Sequence, residues 1–137
     1  MGNEGEYTMD ETLNRWAPSM LSILRIMAAL LYLQHGLSKL FGFPQPGHMP
    51  EFLTLIWFAG VIELVGSVLV AVGLFTRIAA LIMSGEMAFA YFMAHAPKAP
   101  YPINNGGELA IMFCFVFLYF VFAGAGPWSL DALWRKR

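Results

Sequence analysis

Four long apolar stretches, each carrying at least one ionisable residue that a plain membrane anchor does not need, constrain this chain more than any other feature. Arg25, Glu63, Glu86 and Glu108 fall in or at the edge of segments that otherwise read as bilayer-spanning helices. A charge at the bilayer centre costs roughly 2.5–3.5 kcal/mol on insertion scales, and such residues face the interior of a bundle or a water-filled cavity. Three acids and one base spread over four helices therefore point to an internal polar site.

A span needs about 20 mostly apolar residues, which places the four spans at residues 19–41, 52–74, 77–96 and 106–124. The chain is 58% hydrophobic and 12% charged, against roughly 25% charged in soluble domains, so lipid is the expected solvent. Short connections make consecutive spans antiparallel neighbours. The expected fold is an all-α integral membrane four-helix up-down bundle. Residues 1–18 read as a polar cytoplasmic lead, 19–124 as the membrane domain and 125–137 as a cytoplasmic tail. In the lead, Thr8 and Glu11 have capping-box spacing, and Met9, Leu13 and Trp16 recur at i, i+4, i+7. That pattern suits a short interfacial helix ending near Pro18; a disordered tail is the other reading.

Orientation follows the basic residues. Arg15, Arg77, Arg135, Lys136 and Arg137 share one side, against Lys98 and the boundary residue Lys39 on the other, so both termini are expected in the cytoplasm. The polar, acidic start does not resemble a cleavable secretory signal. Cys114 is the single cysteine, which excludes an intrachain disulfide.

At 100° per residue, Arg25, Ala29, Tyr32, Gly36 and Lys39 share one face of the first span, with His35 beside it. Gly60, Glu63, Gly66, Ser67 and Val70 share a face of the second, where small residues permit close helix approach. Glu86 lies with Ala79, Ile82, Met83, Ala90 and Met93 in the third; Asn104 or Asn105 is placed to cap the fourth, ahead of Glu108. The Pro-rich outer loops bring His35, Lys39, His95 and Glu108 toward one end. Arg25, Tyr32, His35, Lys39, Glu63, Glu86, His95 and Glu108 are thus the candidate site residues.

Two readings of this cluster stand side by side. In one it holds a quinone headgroup or another small polar molecule, with the acids and histidines carrying protons. In the other it is a structural network in which Glu63 or Glu86 neutralises Arg25. His35, His48 and His95 lack metal-ligand spacing, so no metal site is expected. Nine methionines, scattered over helix faces, read as packing residues. No phosphate-binding glycine loop and no basic patch beyond the last three residues is present, which argues against nucleotide or nucleic acid as a partner.

Several segments together resemble a known family. Leu24-Arg25 followed by Gln34-His35-Gly36-Leu37-Ser38-Lys39-Leu40 is similar to the opening of DoxX-like membrane proteins. Gly60-Val61-Ile62-Glu63-Leu64 and Val72-Gly73-Leu74-Phe75-Thr76-Arg77 are similar to its second block. Asn105-Gly106-Gly107-Glu108-Leu109-Ala110 and Gly124-Ala125-Gly126-Pro127-Trp128-Ser129-Leu130-Asp131 are similar to its last. The resemblance implies a four-span protein of the bacterial inner (plasma) membrane, linked to oxidoreductase assemblies such as thiosulfate:quinone oxidoreductase. It implies no cofactor motif within the chain. The expected function is an integral membrane subunit of a quinone-linked oxidoreductase system, partnered by the bilayer and by a membrane or peripheral oxidoreductase or a second copy of itself. A non-catalytic scaffold or assembly subunit, and a small-molecule or proton transporter, are the alternatives.

Overall fold

The first helix begins where its capping signal predicts. Thr8 accepts a hydrogen bond from the Glu11 N–H at 3.3 Å, and the Glu11 carboxylate accepts one from the Thr8 N–H at 3.0 Å. The computed structural model describes residues 8–46 and 49–136, so His48 lies outside the described residues. Helix α1 runs unbroken over Met9–Phe41, passing through Pro18 rather than ending there. Proline costs one backbone bond, to the carbonyl of residue 14, and the apolar pattern on either side carries the helix across the gap. At 1.5 Å per residue its 33 residues measure roughly 50 Å, well beyond a hydrocarbon core of about 30 Å. From Met9 onward the polar lead and the first span are therefore one rod.

Thr54 caps α2 (Leu55–Val72), and Gly73, in the left-handed conformation, ends it. After a tight turn α3 covers Thr76–Ala90 and is prolonged by a π-helical turn, Tyr91–His95. A single-turn α4 (Pro102–Asn105) leads into α5 (Glu108–Ala123), and α6 (Leu130–Arg135) follows. Three helices, Met9–Phe41, Leu55–Val72 and Thr76–His95, are long and apolar enough to cross a membrane; α5 is apolar but shorter, at 16 residues. The protein is an all-α multi-pass membrane bundle.

The inward faces are those the helical periodicity selects. Helix α2 buries Gly60, Glu63, Gly66, Ser67 and Val70, and α1 buries Ser22, Arg25, Ala28, Ala29, Tyr32 and Gly36. Of the Glu86 face of α3, Ala79 and Met83 are buried, whereas Ile82 and Met93 are exposed. Helix α1 packs chiefly on α2, α3 on α5, and α2 joins the two pairs through α3. Between α1 and α5 the contact is aromatic: the Tyr32 ring lies edge-on to Phe113 and Phe117, with centroids 5.0 and 4.9 Å away. Phe115, Tyr119 and Phe122 point outward, where lipid is their natural neighbour.

Arg25 is not neutralised by Glu63 or Glu86. It is fully buried, and among the described residues its guanidinium donates only to backbone carbonyls: to Ala125 at 2.7 Å, Ala71 at 2.6 Å, Trp128 at 2.5 Å, and Val70. The Val70 and Ala71 carbonyls belong to the last turn of α2, where the helix dipole presents negative charge; Val70 also accepts from the capping Gly73 N–H at 3.2 Å. Arg77 does the same for α5, donating to the Val121 and Phe122 carbonyls at 2.6 and 2.9 Å. The residues after α5 complete this end. Asp131 accepts from the N–H groups of Phe75 and Thr76 at 2.9 and 3.0 Å, capping α3, while its own N–H donates to the Gly73 carbonyl. The segment after residue 124 is thus built into the bundle.

Candidate ligand site at the end away from the termini

The site begins with two glycines. A Cβ on Gly36 of α1 would stand 2.7 Å from the Leu64 backbone nitrogen and 3.1 Å from the Gly60 carbonyl oxygen. Only glycine lets the two backbones approach so closely, and the approach carries Lys39, nearly one turn further along α1, to Glu63 of α2. The Lys39 ammonium and the Glu63 Oε1 are 2.5 Å apart, with the Glu63 carboxylate sealed from solvent and the lysine about one-third exposed. Alanine at Gly36 would gain about 0.5–1 kcal/mol of helix propensity, but an immovable backbone clash costs typically about 1–3 kcal/mol. Gly36→Ala is accordingly expected to destabilise the bundle by about 1–2 kcal/mol, read as a lowered midpoint of thermal unfolding in detergent.

Tyr32, one turn before Gly36, donates its hydroxyl to Glu86 Oε2 at 3.2 Å. The second carboxylate oxygens, Glu63 Oε2 and Glu86 Oε1, are buried and have no hydrogen-bond partner among the described residues. Buried polar atoms are paired in the great majority of cases, by protein, water or ligand. Two such oxygens within one cluster mark a place built to receive a donor.

A cavity of about 300 Å3 opens beside them, lined by Tyr32, His35, Lys39, Glu63 and His95 among polar residues and by Met87, Leu109 and Phe113 among apolar ones. Phe113 meets His35 edge-on as well as Tyr32. The π-helical turn puts His95 on this wall, and its ring lies nearly parallel to Tyr91. His95 Nδ1 is 3.0 Å from the Asn105 carbonyl, which can only accept, so Nδ1 carries the proton. Asn105 is itself buried and acts as a clasp. It donates to the Ala99 carbonyl at 2.9 Å and to the Tyr91 hydroxyl at 3.4 Å, and accepts from the Gly107 N–H at 2.8 Å. It therefore braces the loop around His95 rather than capping α5, whose first residue follows Gly107.

Five of the eight sequence candidates line this cavity, and Glu86 joins them through Tyr32. The other two do not. Arg25 lies fourteen residues before Lys39, roughly 21 Å along α1, in the carbonyl knot at the opposite end. Glu108 sits exposed in the first turn of α5, outside the lining. Sequence reasoning missed Phe113 and Tyr91, and gave Asn105 a capping role in place of the clasp it forms. Phe113 shares a face with Phe117 and Phe120, but α5 is apolar all round and no periodicity singles out that face. A second depression, of about 420 Å3, lies near the termini between Phe75, Arg77, Asp131 and Trp134. Arg77 and Asp131 are already engaged there as helix caps. Among the described residues no group of three or more His, Cys, Asp or Glu is placed to hold a metal ion.

The comparisons with known proteins agree with this architecture. The DoxX family model matches residues 20–96, which contain Arg25, Tyr32, His35, Lys39, Glu63, Glu86 and His95. An uncharacterized protein of Haemophilus influenzae is 46% identical over 133 residues, covering 91% of this chain and 98% of that protein. No solved structure matches the chain. With the matched segment spanning the first three helices of the bundle and most of the cavity wall, the chain belongs to the DoxX family of membrane proteins.

Proposed function

We propose that this protein is the membrane subunit of a quinone-linked oxidoreductase system and that the polar cavity receives the quinone ring. The observation that carries this reading is the buried Lys39–Glu63 pair on the wall of an aromatic-sided cavity, with the second oxygen of Glu63 left without a partner. Ligand sites are mostly apolar clefts of about 300–1,000 Å3 with a few convergent polar groups, and this one has that composition. A quinone accepts two electrons and two protons to become a quinol. Lys39 offers an ammonium donor for one ring carbonyl. The unpaired Glu63 oxygen can accept a hydroxyl hydrogen, and the His95 and His35 rings on the same wall offer nitrogens for hydrogen bonding and proton transfer. Phe113 supplies a flat apolar surface for the ring. Electrons would pass to or from an oxidoreductase partner. In this reading both termini are cytoplasmic in a bacterial inner membrane, the side on which Arg15, Arg77, Arg135 and Lys136 are gathered.

Native mass spectrometry of gently solubilised protein, with extraction of whatever co-purifies, tests the reading. A quinone in stoichiometric amount is the expected result. A bundle that carries only a protein partner, and takes up no added quinone, would make the protein a scaffold and the reading wrong.

A further inference from the structure

The polar cavity continues sideways. Lys39, Ala90 and Ala94, which line it, also line a groove of about 600 Å3 between α2 and α3. Apolar side chains, Phe58, Ile62, Ile82, Phe89 and Met93 among them, dominate the groove, and its charged members are Lys39 and Glu86, both already tied to the cavity. One face of the groove is left bare by Gly85. A Cβ on Gly60 or Gly66 would press on Leu40 or Met83, which accounts for those glycines, whereas a Cβ on Gly85 would meet nothing within 4 Å. A glycine inside a helix forfeits stability relative to alanine, and no neighbour among the described residues requires this one.

We infer that the site takes a lipid-like ligand, its ring held at Lys39 and Glu63 and a single long hydrocarbon chain laid along the α2–α3 groove over Gly85. This rests on the ligand-site reading above and adds the class of ligand and its route of entry. A groove of twice the cavity's volume, apolar, and joined to it at Lys39, Ala90 and Ala94 fits a chain tethered to a polar head. Hydrocarbon gains little on moving from lipid to an apolar protein surface, so the groove contributes passage and selectivity more than affinity. A tailed ligand enters from the bilayer between α2 and α3 without crossing the aqueous interface.

The test uses the full chain in nanodiscs and two probes: a benzoquinone bearing a decyl chain, and the same ring without it. Gly85→Phe projects an aromatic ring into the groove from a Cβ position with no heavy atom within 4 Å, and Ile82→Trp obstructs it from the neighbouring turn should the first variant fold poorly. Either change is expected to weaken the tailed probe about tenfold or more by steric exclusion, leave the tail-free probe unchanged, and be silent as Gly85→Ala. Equal binding of the tailed probe to wild type and obstructed variants would overturn the groove while leaving the ring site standing. If neither probe binds wild type, the ring site itself fails and the groove reading falls with it.

Discussion

Arg25→Leu is expected to destabilise the bundle by about 3–5 kcal/mol, the range for removing one partner from a buried, charge-assisted network. Four of the five guanidinium N–H donors are engaged by backbone carbonyls from two separate segments, and leucine leaves all four acceptors without them. Arg25→Lys is expected to recover only part of the loss, because an ammonium is a point charge and cannot span acceptors arranged around a planar fork. Thermal unfolding in detergent measures both. An ion-pair network with Glu63 would make Glu63→Gln compensate for Arg25→Leu, since it removes the stranded charge. The carbonyl knot makes the two changes independent, so their effects should simply add. Compensation in the double variant would mean that the geometry at Arg25 is wrong.

Glu63→Gln is expected to weaken quinone binding about ten- to hundredfold, the value of one charge-assisted hydrogen bond of about 1.5–3 kcal/mol. Glutamine keeps the volume and still offers its amide oxygen to Lys39, so insertion and folding should survive. What it loses is the anionic oxygen that now lacks a partner. Titration of the purified variant with a quinone, beside a thermal melt, separates the two effects. Full affinity in a well-folded variant would remove Glu63 from the site. Loss of affinity together with a collapsed melting curve would assign the residue to the structure.

Much of the architecture was legible because the signals were local. A polar or small residue repeating every three or four positions in an apolar helix has one place to go, and the buried faces of α1 and α2 carry those residues. Lys39 and Glu63 were each readable as inward-facing, since each shares a helix face with a glycine, but their pairing was not, because the acids were set against Arg25 instead. Arg25 was misread because its partners are peptide carbonyls, which leave no trace in side-chain identity. A lone base among three acids invites pairing by charge, yet the helix ends offered better geometry. The third helix was readable only in part, since a continued α-helix does not show where a π-helical turn will redirect its last residues. The α5 face toward Tyr32 was hidden for the opposite reason, an excess of equally apolar choices.

The knot at Arg25 also sets an order of events during synthesis. Arg25 and its Ala125 acceptor are 100 residues apart, and Trp128 comes later still. At about 5–20 residues per second, the first helix exists for roughly 5–20 s before its guanidinium can find those carbonyls. For the second half of that interval the Val70 and Ala71 carbonyls are the acceptors available to it, and the guanidinium is half satisfied. A chain cut short after α5 would lack the Ala125 and Trp128 half of the set. The last loop therefore works as a completeness check, locking the first helix in place only once the whole bundle has been made.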